Sequence, residues 1–273
     1  MSELSPALHG YFTLLSFLGG ACIGSFLNVC IYRIPRDESI VRPRSHCPAC
    51  GTQIAWYDNI PILSYIVLRA KCRHCKAPIS SRYTVVEALT AFLFLAIWLK
   101  YGWSPLSPIY MLVTGGLILA TFVDLEHMII PDRISIGGML AGLILSAAFP
   151  ALHGEIRAVD GVIASGIGLL TGAGSLWLVA IFGKMAFKKD AMGLGDVKLL
   201  GAIGAFMGWQ GVLFTVMVSS LAGTVVGLFF IVTGRHEWQS RIPYGPYLAL
   251  AAVIWIIWGM EWWDAYIRWR SGA

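Results

Sequence analysis

Charge is what this sequence lacks. Only 13% of its 273 residues are Asp, Glu, Lys or Arg, about half the ~25% carried by an ordinary soluble domain. With 57% apolar residues and a mean hydropathy of +0.71, a water-covered globule is excluded, because too little polar surface remains to cover it and the apolar excess must face lipid. No Lys or Arg precedes Arg33, and no small-residue cleavage site follows the first apolar run, so that run is expected to be an uncleaved span rather than a secretory signal. Internal repeats, low-complexity tracts and a glycine-rich cofactor loop are also missing, so neither a repeat array nor a familiar cofactor motif supplies the function.

What is present is a series of apolar stretches, at 11–32, 83–99, 107–123, 134–149, 161–182, 199–209, 212–233 and 247–260. Several approach the ~20 residues that a helix needs to cross ~30 Å of hydrocarbon. The run from Val197 to Thr233 is too long for one span and is interrupted at Gly208-Trp209-Gln210-Gly211, which predicts a short helix, a turn and a full helix. The expected fold is therefore an all-α polytopic membrane protein of about eight transmembrane helices, with a small extramembrane domain. Sixteen of the twenty Lys and Arg fall in alternate loops, nine of them within 33–82 and the others at Arg133, Lys184, Lys188, Lys189, Lys198, Arg235 and Arg241. Cytoplasmic loops collect such residues, so those loops are placed inside and both termini outside the cytoplasm. The net charge of +5 reads as a topology signal, and no nucleic-acid partner is expected. Trp255, Trp258, Trp262, Trp263 and Trp269 read as an interfacial aromatic belt.

Residues 33–82 form the one sizeable hydrophilic block and are read as a domain between a first helix (1–32) and a helical membrane domain (83–273). The block holds Cys47-Pro-Ala-Cys50 and Cys72-Arg-His-Cys75. Two CxxC knuckles at this separation bring four thiolates into a tetrahedral shell for Zn²⁺, a structural site because no position remains open for water. About fifty residues are hard to hold together without such a staple, and a basic loop facing the reducing cytoplasm argues against disulfides. His46 and His74 stand beside the set without being needed. Cys22 and Cys30, inside the first span, read as small buried packing residues.

Acids at the edge of a membrane span are costly and therefore functional candidates. Asp124 ends the third span and Asp196 opens the sixth within Gly193-Leu194-Gly195-Asp196, while Glu87 lies one turn inside the second. Two aspartates brought to one depth can share a proton. The ionised one then acts as general base on water while the protonated one polarises a peptide carbonyl. The competing reading makes Asp196 an N-cap. Asp132 suits capping, Asp190 reads as a solvated loop acid, and Glu126 and His127 carry modest weight.

The order of Gly24-Ser25-Phe26-Leu27-Asn28-Val29 with Arg33 and Pro35, the two CxxC pairs, Asn59-Ile60-Pro61, Arg82-Tyr83 with Glu87, Asp124 with Ile130-Pro131-Asp132, and Gly193-Leu194-Gly195-Asp196 resembles the bacterial type IV prepilin peptidases, over about residues 19–250. The resemblance implies an inner-membrane aspartic peptidase that trims prepilins or pseudopilins with Asp124 and Asp196, supported by Gly193 and Gly195. It also implies methylation of the new N-terminus with S-adenosylmethionine by the N-terminal and zinc-ribbon portion. Gly24, Asn28, Ala70 and Glu87 are the candidates for that second reaction; Gly24, Asn28 and Glu87 read equally well as helix-packing residues. Many members have Gly where this chain has Ala70, a replacement that adopts positive φ less easily. A peptidase without methyltransferase activity, or a non-enzymatic zinc-ribbon scaffold, also accommodates the spans and cysteines.

Overall fold

The computed structural model describes residues 6–188, 192–233 and 243–271. Glu3, Lys189, Asp190, Arg235 and Arg241 lie outside the described residues. Among the described residues there is no strand, only two isolated bridges, and six helices are long and apolar enough to cross a membrane. The chain divides into two compact units, Met1–Leu119 and Ala120–Ala273.

In the first unit, α1 (Pro6–Arg33) packs along α3 (Ser81–Tyr101). Gly20 and Gly24 make this possible, since a Cβ at either would lie 2.8 Å from the Ala91 Cα and 2.7 Å from the Glu87 Cα, respectively. Cys30 is buried as expected, but Cys22 is exposed. It sits one position off the buried stripe of Gly20, Ala21, Gly24, Leu27, Asn28 and Ile31, so the packing role read for it does not hold. Arg33 ends α1 with a buried guanidinium that donates to the carbonyls of Ser39 (2.8 Å) and Pro43 (2.7 Å), tying the loop back to the helix. The loop carries the five-residue α2 (Leu63–Val67). Ser80 caps α3 by accepting from the Arg82 N–H, and α4 (Leu106–His127) follows.

The second unit is built around α7 (Leu194–Val232), which packs on α5 (Asp132–Ala148), α6 (Ala158–Phe187) and α8 (Gly245–Ile254). Its first half is buried at Val197 and at every position from Leu199 to Gly208. The α6 partner face carries Gly161, Ser165, Gly168 and Gly172 at three- and four-residue spacing, the small-residue stripe that lets helices touch in a membrane. A Cβ on Gly168 or Gly204 would fall on the other's carbonyl. The predicted interruption of α7 is present but confined to Gly208 (φ 68°, ψ −178°), a region open essentially only to glycine. The two predicted helices are therefore one 39-residue run with a single break. Together with α5, at 17 residues just short of a full span, this accounts for six long apolar helices where eight stretches were read.

From α8 the chain continues through a π turn at Trp255–Gly259 into α9 (Met260–Ser271). Trp255 is buried against Phe214 and Gly259, which removes it from the aromatic belt: it packs inside the unit. Trp258, Trp262 and Trp269 are exposed.

Candidate active site

Asp124 lies in the last turn of α4 and is 5% exposed. Its Oδ2 accepts the backbone N–H of Gly245 at 3.0 Å, the first residue of α8, whose N–H has no partner within the helix. Placing an acid there also opposes it to the positive end of the α8 dipole. The approach needs glycine: a Cβ on Gly245 would stand 2.8 Å from that oxygen. Tyr244 helps to fix the helix start, its hydroxyl 2.7 Å from the Ser219 Oγ. Neither residue was singled out from sequence; the signal available was Tyr-Gly-Pro at a helix start.

Asp196 stands in the first turn of α7, and Gly193, not Asp196, is the N-cap. The Asp196 carboxylate reaches back to accept the Gly193 N–H, one half of a capping box. Its Oδ1 is buried and has no hydrogen-bond partner. Asp124 and Asp196 interact electrostatically, and Ile130 links their surroundings, lying against both Gly195 and Gly245. The arrangement places one acid that is held and one that offers a buried, open acceptor. A cavity of about 480 Å³ lies instead at the Gly208 end of α7, twelve residues or ~18 Å along the helix from Asp196, and is not part of this site.

Asp132 does not cap α5, where Pro131 holds the cap position. Its Oδ1 instead accepts from Lys198 Nζ at 2.7 Å, so it neutralises a cation beside Asp196 in sequence. Glu126 is exposed.

The four expected thiols converge. The Sγ atoms of Cys47, Cys50, Cys72 and Cys75 lie within 4.8 Å of one another, with Cys47 and Cys75 at 3.8 Å; a tetrahedron with ~2.3 Å Zn–S bonds has edges of about 3.8 Å. The two knuckles repeat one backbone pattern. The Cys47 and Cys72 N–H groups donate to Thr52 and Ala77, and the residue after each second cysteine, Gly51 or Lys76, has positive φ. A hydrogen bond with the Thr52 side chain lowers the Cys50 thiol to about 6. The backbone N–H groups of Cys75 and His74 lower Cys72. The Ala77 N–H stabilises the Cys75 thiolate, yet desolvation and the neighbouring thiols push it up to about 11. Thiols that compete for negative charge at this separation are the donor set a divalent cation satisfies. His46 and His74 stay outside the cluster.

Three of the remaining candidates form one cluster in the first unit. Glu87 is buried beside Gly24 and accepts the Ile62 N–H at 2.8 Å. Asn28 donates to the carbonyls of Gly24 (3.3 Å) and Tyr83 (3.0 Å), leaving its Oδ1 buried without a partner. Ala70 has φ 57°, the left-handed conformation that glycine adopts more easily.

Residues 18–101 match the Bacterial Peptidase A24 N-terminal domain and residues 111–228 match the Type IV leader peptidase family. The chain belongs to the type IV leader peptidase family. A prepilin leader peptidase/N-methyltransferase of Aeromonas hydrophila is 38% identical, with 98% of each chain covered. That of Myxococcus xanthus is 44% identical over 84% of this chain and 68% of its own, and that of Pseudomonas aeruginosa 33% identical over 94% of each. No solved structure matches. Membership makes this a membrane-embedded enzyme.

Proposed function

We propose that the chain removes the leader peptide from prepilins or pseudopilins at a dyad of Asp124 and Asp196, and then N-methylates the new N-terminus. The observation that supports this reading is that α4 and α7 bring two acids to the surroundings of Ile130, one held by the Gly245 N–H and the other with a buried oxygen that has no partner. With one proton shared between them, the ionised carboxylate takes a proton from water as its oxygen adds to the scissile carbonyl. The protonated one donates to the carbonyl oxygen, and collapse of the adduct expels the amine, which leaves protonated. Gly193 and Gly195 shape the turn that delivers Asp196.

Residues 33–82 are assigned as the zinc-binding domain, with Zn²⁺ held by Cys47, Cys50, Cys72 and Cys75 in a structural role, and residues 83–273 as the peptidase domain. Methylation, with S-adenosylmethionine as donor, is supported by the names of the relatives and is assigned to the N-terminal portion with Gly24, Asn28, Ala70 and Glu87. The charge asymmetry supports an inner-membrane location with termini outside and both sites at the cytoplasmic face.

Purified protein incubated with a prepilin should produce a mass loss equal to the leader, then a methyl gain when S-adenosylmethionine is added. Asp124→Asn and Asp196→Asn should each abolish the loss while the protein stays in the membrane. Normal cleavage by either variant overturns the dyad, and cleavage without methyl gain reduces the activity to the peptidase.

A further inference from the structure

The loop that carries the cysteines is hydrophilic by composition, yet its one helix presents an apolar face to the outside. Leu63, Ile66 and Val67 occupy one side of α2 at three- and four-residue spacing, with Ile66 64% and Val67 69% exposed. Trp56, 80% exposed, and the exposed Tyr57, in edge-to-face contact with it, stand on the turn next to α2. Ser64 binds the Trp56–Asn59 turn to α2, its N–H donating to Ile60 and its Oγ to the Tyr57 carbonyl. Five large apolar or aromatic side chains are thus exposed on two adjoining short elements that are bonded to each other, more than singly scattered apolar residues.

Its height relative to α3 is fixed by a second observation. Ile62 is the centre of a tight three-residue turn, with φ 63° and ψ −49° and the Leu63 N–H donating to the Pro61 carbonyl at 2.6 Å. A β-branched residue in this conformation is a genuine outlier, and it is held by the bond from its N–H to Glu87. Glu87 is six residues past Ser81, about 9 Å down α3, and helical side chains lean back toward the helix start. The turn therefore descends roughly 5–9 Å alongside a membrane-crossing helix, the depth at which interfacial helices seat their apolar faces.

Charge completes the pattern. Within 56–76 the only acid is Asp58, and Arg73 occupies it through two bonds of 2.6 and 2.7 Å. Arg69, Lys71 and Lys76 are exposed directly after α2. Aromatic and aliphatic side chains rimmed by unopposed cations are the complement of an anionic lipid surface. We propose that Trp56–Val67 is an interfacial membrane anchor, seated in the headgroup region of the bilayer and pinned beside α3 by the bond between Glu87 and Ile62, so that the cysteine-bearing loop is tethered to the membrane.

The full-length protein, reconstituted in vesicles of phosphatidylethanolamine and phosphatidylglycerol, would carry a diazirine side chain at position 56, 63, 66 or 67, with positions 44 and 74 as controls. Mass spectrometry after illumination should show phospholipid adducts at the four test positions at least fivefold above the controls. Replacing phosphatidylglycerol by phosphatidylcholine should lower that excess at least twofold. The double variant Ile66→Glu, Val67→Glu should remove the excess at position 63 while metal content is retained, which separates loss of docking from loss of fold. Equal yields at test and control positions overturn the proposal, as do cross-links to a second copy or to an added prepilin in place of lipid. An unchanged excess without phosphatidylglycerol overturns its anionic part.

Discussion

At Asp124, one backbone N–H satisfies a carboxylate that is almost wholly buried. An unsatisfied buried acceptor costs about 1–3 kcal/mol, and more when charged, so the Gly245 contact bears directly on which protonation state Asp124 holds. Gly245→Ala would put a methyl group 2.8 Å from Oδ2 and force the pair apart. We expect leader cleavage to fall at least tenfold, about 1.4 kcal/mol or more of lost transition-state stabilisation, with membrane insertion and metal content unchanged; wild-type cleavage rates would refute the contact's importance. Asp124 and Asp196 stand out as candidates in the sequence because acids at span ends are expensive. Gly245 was not, because its partner lies 121 residues away and nothing local announces it. Cys22 and Trp255 show the same limit: residue type suggests burial or an interface, but one step around a helix decides which. Asp132 was visible as an acid at a helix start, while the lysine that makes it a partner rather than a cap comes from another helix.

Among the elements, α7 carries the most. Its first half delivers Asp196 and is packed on nearly every side, so displacement at one end is transmitted along a rigid segment. The sequence predicted a four-residue turn between two helices from Gly208 and Gly211; the chain makes the break with Gly208 alone and resumes the helix at once. Single-residue breaks of this kind are not separable from longer turns by composition, since both require only a glycine. Gly208→Ala should cost about 1–3 kcal/mol, the scale of strain for an L-residue forced into that conformation. The prediction is checked by the thermal unfolding midpoint in detergent, and an unchanged midpoint would show that the helix straightens without penalty. The small-residue stripe on α6 was present in the sequence, but its register against Gly204 could only come from the packed pair.

For the whole molecule, the two units differ in what stabilises them. The second has a continuous core along α7, whereas among residues 34–80 Cys47 alone is buried, so that stretch has no core of its own and rests on its attachments to α1 and α3 and on the metal proposed for its four cysteines. Chelation, or the double variant Cys72→Ser, Cys75→Ser, should abolish bound zinc and expose residues 34–80 to limited proteolysis while α5 to α8 stay protected. Full zinc content in the double variant would contradict the assigned ligand set. The cysteine cluster was legible from the CxxC spacing and the membrane helices from the hydropathy; the outward-facing apolar side of the loop was not, because a composition summed over fifty residues hides which face displays them. The bond joining Asp124 to Gly245 also has a consequence for synthesis. Chains are made from the N-terminus, and Gly245 follows Asp124 by 121 residues. Until α8 begins, Asp124 lacks the donor that satisfies its buried oxygen, so this hydrogen bond closes late in synthesis.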